Sequence, residues 1–150
     1  MNAAPQPLSV HIYSFGYKFS GPPADASGNG GGFVFDCRAL PNPFWDPVVR
    51  AYAGTEPPVI AWLDREPEVR EFAAHAAALV MQTARAYQKL ARERLQVAFG
   101  CTGGRHRSPY VAELLRRNLE AAGIRAILIH TDLEKEASRF ADERQGMKAK

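Results

Sequence analysis

Leu95-Gln96-Val97-Ala98-Phe99-Gly100-Cys101-Thr102-Gly103-Gly104-Arg105-His106-Arg107-Ser108 is the stretch from which the rest of the chain can be read. Leu95 to Phe99 is an apolar run short enough to be a buried strand, and Tyr110 to Leu119 beyond it has helical periodicity. Between them, Gly103 and Gly104 let the backbone turn its N–H groups inward without a Cβ clash, and the following helix N-terminus adds partial positive charge. Arg105, His106 and Arg107 offer further donors. The stretch reads as strand, anion-cradling loop and helix start. A phosphate or carboxylate is expected there, and two outcomes stay open: the anion is only held, or it is attacked by Cys101.

Working outward, a long amphipathic helix precedes this unit, with an apolar stripe at Val69, Phe72, Ala73, Ala76, Leu79, Val80, Tyr87 and Leu90 that belongs to the core. It ends near Arg92-Glu93-Arg94. After the loop, Val111, Leu114, Leu115, Leu119 and Ala122 mark a second such helix that stops at Gly123, a C′ residue, before a strand at Ala126 to His130. Nearer the start, Leu8 to Phe15 reads as a strand rich in β-branched and aromatic residues, and Phe33 to Cys37 as a buried strand delivering Asp36 to its carboxyl end. The Pro- and Gly-rich segment from Gly21 to Gly32 joins them as a mobile surface loop; its Gly28-Asn29-Gly30 lacks the third glycine and the helix of a dinucleotide fingerprint. Three prolines between Pro41 and Pro47 stiffen a loop that either presents Asn42, Phe44 and Trp45 or lets the two aromatics cap the core. Val48 to Tyr52 and Pro58 to Leu63 read as short helical pieces around Gly54-Thr55.

Strands alternating with helical patterns predict an α/β fold: a single, mostly parallel sheet of about four strands flanked by helices, with the glycine-rich loop at a strand–helix junction. In such sheets ligands gather beyond the carboxyl ends of the strands. Phe15 to Lys18, Asp36 to Arg38, Cys101 to Arg107 and His130 to Lys135 all leave those ends, so they should converge. Residues 1–135 are read as the domain, and 136–150 as a charged tail, a solvated helix that frays.

Composition sets the outer bounds. At 150 residues and 46% hydrophobic content, one domain with a full core is expected, and a net charge of +3 is not that of a polybasic nucleic-acid arm. Two cysteines, Cys37 and Cys101, are too few for a disulfide framework; no signal peptide precedes the first strand, and no apolar run approaches the roughly 20 residues needed to span a bilayer. A cytoplasmic protein without membrane contact is the expectation.

Cys101, Arg107 and Ser108 have the C-x5-R-S spacing of cysteine-dependent phosphatases, in which a thiolate attacks a phosphoester gripped by the arginine. Gly100 stands where those enzymes usually carry histidine, and Asp36 and Asp46 qualify as general acids by loop position alone. The alternative for Cys101 is a small buried residue at a strand end. His11, His75, His106 and His130 show no paired ligand spacing, so no metal is expected, and nothing implies a cofactor. Lys18 and Arg38 are plain surface charges unless convergence brings them to the loop, where they would raise its anion affinity.

The pieces Phe15-Gly16-Tyr17-Lys18, Phe35-Asp36-Cys37-Arg38-Ala39-Leu40-Pro41-Asn42-Pro43, Gly54-Thr55, Gly100 to Ser108 and Asp132-Leu133-Glu134-Lys135 occur together, in order, across nearly the whole chain. In this they resemble the C-terminal domain of the RNase adapter protein RapZ family, often described as nucleotide-binding. The resemblance implies a domain that binds small regulatory RNA and, in some members, a phosphorylated amino sugar, and that self-associates. It implies an anion pocket of Thr102, Gly103, His106 and Arg107, with Lys18, Arg38 and Asn42 around it; Gly104, Arg105 and Ser108 complete the expected ligand-binding set. Phe19 and Phe44 stand where some relatives have histidine, and the glycine-rich loop between the first strands is long for the family. Family proteins carry an N-terminal NTPase domain, whereas no G-x-x-x-x-G-K-[ST] segment occurs in this sequence, so ATP hydrolysis is not carried over. Met1 shortly before the first strand favours a stand-alone protein. The leading expectation is a non-catalytic module for a phosphorylated metabolite or RNA. Its rivals are a cysteine-dependent phosphatase and a subunit whose main role is protein contact.

Overall fold

The structure, a computed structural model, describes residues 7–28 and 31–148. Four strands, β1 (Ser9–Gly16), β2 (Phe33–Asp36), β3 (Arg94–Cys101) and β4 (Arg125–His130), form one sheet in the order β2-β3-β1-β4. Every pairing is parallel: Ser9 lies opposite Arg94 and Arg125, and Phe33 opposite Val97. The α/β expectation therefore holds, and all four strands end at the same edge.

Parallel neighbours need crossovers, and the helices supply them. α1 (Pro57–Asp64) and α2 (Pro67–Lys89) link β2 to β3, and α3 (Arg107–Ala121) links β3 to β4. Both α1 and α2 start with proline at their first turn, where its fixed φ suits a helix and its missing N–H costs no bond. α2 turns Val69, Ala73, Ala76, Val80 and Ala84 inward, a stripe of small side chains that lets it lie close to α3. Two stripe members from the sequence reading, Leu79 and Leu90, are instead exposed. Leu79 lies about 100° around the helix from Val80, and Leu90 is the C-cap, beyond the last helical turn. The core beneath the helices contains Val10, Ile12, Val97, Phe99, Val111, Leu115 and Leu119. α3 closes at Gly123, whose φ of +78° fits the expected left-handed C′ position.

Two local expectations change. β2 is an edge strand paired only with β3, so Val34 faces outward and is exposed, while Phe35 stacks on Phe99 at 5.2 Å and meets Phe72 edge-on. Val48 to Tyr52 is a series of turns, not a helix, because Asp46 accepts from the amides of Val48, Val49 and Arg50 and holds the chain tight after Pro47. The segment between β1 and β2 lies against β3, where Gln96 donates to the carbonyls of Pro23 and Ala24; Asn29 and Gly30 of the Gly28-Asn29-Gly30 stretch lie outside the described residues.

Beyond Lys135, where sequence suggested a fraying tail, a 3-10 turn (Ala137–Phe140) leads into α4 (Ala141–Lys148). Phe140 anchors it at 1% exposure. Arg50 pairs with Glu143 at 2.7 Å and Arg144 with Glu56 at 2.9 Å, so the charges of this segment reach back onto the domain.

Candidate anion-binding site

The carboxyl edge of the sheet is stitched from one strand end to the next. Tyr17 and Lys18 donate their amides to the carbonyls of Cys101 and Thr102 at 2.9 and 3.0 Å, and Cys37 donates to Gly100 at 2.7 Å. From β4, buried Asp132 accepts from the Gly16 amide at 2.7 Å and from the Ser20 amide and hydroxyl at 3.1 and 2.5 Å. All four segments that sequence sent to this edge meet there.

Gly104 makes the loop's sharp bend, with φ of +70° and no room for a side chain: a Cβ would lie 2.7 Å from the Gly16 nitrogen and 2.9 Å from the Asp132 Cβ. After that bend α3 begins at Arg107. Among the described residues, the amides of Thr102, Gly103, Gly104, Arg105 and His106 have no internal acceptor. Unclaimed amides ahead of a fifteen-residue helix carry the electrostatics of an anion cradle.

A cavity of about 240 Å³ opens over this loop. Its floor is Cys101, Thr102, Gly103, Arg105, His106 and Arg107, and its walls come from Lys18, from Asn42, Phe44 and Trp45, and from Glu136 and Arg139. Of the expected ligand-binding residues, Lys18, Asn42, Thr102, Gly103, Arg105, His106 and Arg107 are therefore brought together. The other three lie elsewhere. Gly104 serves as the joint behind the cavity; Ser108 is fully buried and donates to the Phe15 carbonyl; Arg38 forks onto Asp36 and lies 3.8 Å over the Tyr17 ring.

The basic side chains of the loop brace it more than they reach out. Arg105 donates to the carbonyls of Leu133 and Ala51 at 3.0 and 2.8 Å, and Arg107 to those of Arg38 and Leu40 at 2.7 and 3.0 Å. Each is about 96% buried or more, at 3% and 4% exposure, and the Nε of each has no partner. His106 Nε2 lies 2.8 Å from the Arg50 carbonyl, which can only accept, so the ring carries its proton there. Burial is the main cause that pushes the His106 pKa down, and the imidazole is held neutral.

Cys101 Sγ lies 3.2 Å from Ser108 Oγ, and the Ser108 proton is directed to the Phe15 carbonyl, so the thiol is the donor of the pair. Desolvation raises the pKa of the neighbouring buried Cys37 thiol far above the usual range. Asp36 is held below the ordinary carboxylate range by Arg38, and Asp46 accepts from Trp62 Nε1 at 3.1 Å; neither carboxylate lines the cavity. Among the described residues, no group of three or more His, Cys, Asp or Glu is placed to hold a metal ion, and no helix is long and apolar enough to cross a membrane.

Sequence reasoning missed Glu136 and Arg139. Both lie in the charged segment taken for a tail, and its sole pointer was the aromatic Phe140 among charges. Phe44 does face the cavity, meeting Trp45 edge-on at 5.0 Å, while Trp45 is 77% exposed.

Comparison with known proteins gives a consistent family. Residues 8–134 match the family model described as the RapZ C-terminal domain. A nucleotide-binding protein of Alkalilimnicola ehrlichii is 43% identical over 132 residues, 87% of this chain and 43% of its own length. A nucleotide-binding protein of Laribacter hongkongensis is 40% identical over 88% of this chain and 45% of its own length. The RNase adapter protein RapZ of Yersinia pseudotuberculosis is 43% identical over 85% of this chain and 43% of its own length. The chain thus spans less than half the length of these relatives.

Proposed function

We propose, from the premise that this chain belongs to the RapZ C-terminal domain family, that it is a non-catalytic regulatory module holding a phosphate-bearing ligand at the carboxyl edge of its sheet. The observation that carries this reading is the set of unclaimed amides of Thr102, Gly103, Arg105 and His106, residues that line the cavity ahead of α3 and beside Lys18 and Arg139. Main-chain donors bind an anion without changing it. Arg105 and Arg107 fix the loop in the shape that presents them, while Thr102 and Gly103 form the floor and Lys18 and Asn42 the walls.

A cavity of about 240 Å³ suits a small phosphorylated metabolite, of the amino-sugar phosphate kind, or one phosphate of an RNA backbone. The exposed Trp45 ring beside the cavity gives an RNA base a surface to stack on. The RNase adapter name of some relatives agrees with RNA as a partner. Action in the cytoplasm, self-assembly and contact with a protein partner belong to the same proposal.

Calorimetric titration with phosphorylated sugars, nucleotides and structured RNA tests it. Lys18→Ala should weaken binding by about threefold to fivefold, the scale of one partly screened charge, and Arg107→Ala should abolish it by releasing the Arg38 and Leu40 carbonyls. RNA affinity should also fall steeply with salt. Absence of binding to every ligand, or binding indifferent to both substitutions, refutes the reading.

The cysteine-dependent phosphatase is the rival because Cys101 lines the cavity. Its thiol is a donor to Ser108, the Arg107 fork is turned onto carbonyls, and Asp36 and Asp46 stand away from the cavity. These features favour holding over attack.

A further inference from the structure

We infer that Glu136 is the specificity-determining residue of this cavity: it disfavours a bare anion and favours one that brings a positive or hydrogen-bond-donating group beside its phosphate. This deepens the anion-binding reading and rests on it. Glu136 lies two residues beyond the stretch, residues 8–134, that matches the family model.

The segment that carries Glu136 is fixed on the domain. Phe140 is buried against Phe44 and His106, with ring centroids 6.3 and 6.4 Å away, and the Arg50–Glu143 and Arg144–Glu56 pairs hold α4. Glu136 itself is brought to the cavity wall with its side chain 12% exposed. One carboxylate oxygen accepts from Lys18 at 3.1 Å and lies 3.7 Å from Arg139; the other stands 3.0 Å from where a Cβ on Gly103 would be. The carboxylate therefore lies against the cradle and occupies both cations that rim it.

An anion seated on the loop amides meets a like charge at close range, with Lys18 already engaged. A bare phosphate bears that repulsion in full. A ligand with an ammonium or hydroxyl next to its phosphate can turn that group to Glu136 and replace repulsion with attraction.

Calorimetric titration of the folded protein with inorganic phosphate and with O-phosphoethanolamine is the test. The protein should bind phosphoethanolamine about threefold to fivefold more tightly than phosphate, as expected of one partly screened charge pair. Glu136→Gln should tighten phosphate binding and bring the ratio near one. Lys18→Met, at an exposed position with little bearing on folding, should weaken phosphate more than phosphoethanolamine and so widen the ratio. A ratio unchanged by both substitutions overturns this inference while leaving anion binding intact. Failure of both ligands to bind all three proteins overturns the anion-binding reading and this inference with it.

Discussion

Gly54→Ala tests whether the turn before α1 is the backing of the anion loop. The Gly54 amide donates to the Arg105 carbonyl at 2.7 Å, and a Cβ at Gly54 would lie 2.0 Å from the His106 carbonyl oxygen and 2.9 Å from its carbon. Cβ contacts to backbone atoms are not made below about 3 Å, so the turn and the loop must separate by roughly 1 Å. That separation breaks the Arg105 bond, about 1 kcal/mol, and adds overpacking strain of about 1–3 kcal/mol. Alanine regains about 0.4–1 kcal/mol by restricting the unfolded chain. The net loss is about 1–3.5 kcal/mol, centred above 2 and a sizeable share of the roughly 5–15 kcal/mol of a typical domain. Gly123→Ala is the contrasting control: nothing lies within 4 Å of its Cβ, but its φ of +78° strains any side chain, so about 1 kcal/mol is lost for a conformational reason alone. Urea unfolding measures both. Gly54→Ala should lower the midpoint more than Gly123→Ala and weaken phosphate binding, which Gly123→Ala leaves alone. Equal midpoints, or a Gly54→Ala protein with normal stability, would refute the close approach on which the site's architecture depends.

Three further outcomes are expected. Phe140→Ala removes the buried anchor of the C-terminal segment and should cost about 3–4 kcal/mol in urea unfolding, with phosphate affinity altered because Glu136 and Arg139 lose their placement. His106 and His11 both have pKa values lowered in the folded protein, chiefly by desolvation, so below pH ~6.5 the unfolded chain takes up protons that the folded one refuses. Stability should therefore be full above that pH and decline as pH falls until the folded-state values are passed; His106→Gln should flatten part of this slope in unfolding curves measured from pH 8 to 5. An aryl phosphate assay of the native protein and Cys101→Ser should show no turnover in either, and turnover lost in the variant would establish the phosphatase instead.

Much of this architecture is legible in sequence because it depends on local signals. The loop between Phe99 and Ser108 announces itself by glycines between two periodic segments, and the convergence of Lys18, Arg38 and Arg107 follows once the strands are taken as parallel. What sequence cannot give is the direction of a side chain at the edge. Arg105 and Arg107 are cations in composition, yet in space their forks go to the carbonyls of Leu133, Ala51, Arg38 and Leu40. Arg38 looks like a ligand contact and is claimed by Asp36, two residues away. Edge position is equally silent: Phe33 to Cys37 reads as a buried strand because its hydrophobicity does not reveal that β3 pairs with it on one side alone. Glu136 is invisible for a different reason. Its role depends on Phe140 finding His106 and also Phe44, the latter a tertiary contact between residues almost a hundred positions apart.

The braced arginines explain why a buried cationic loop is tolerable in a domain of this size. Two guanidinium groups at 3% and 4% exposure would be costly if their charge were uncompensated. Each is instead spread over two carbonyl dipoles, which come from the loop after β2, the turns after Pro47 and the segment after β4. One loop thereby ties three others into a single edge. The unpartnered Nε atoms mark what the carbonyls do not neutralise. Both arginines line the cavity, so an anion held by the free amides of Thr102 to His106 would sit beside their charge and offset it. Ligand binding should then stabilise the whole edge and not the loop alone: saturating phosphate should slow amide exchange in Gly16 to Lys18, in Cys37 to Leu40 and in Asp132, as well as in Thr102 to Arg107. Protection confined to the loop would show that the arginine braces do not couple these segments.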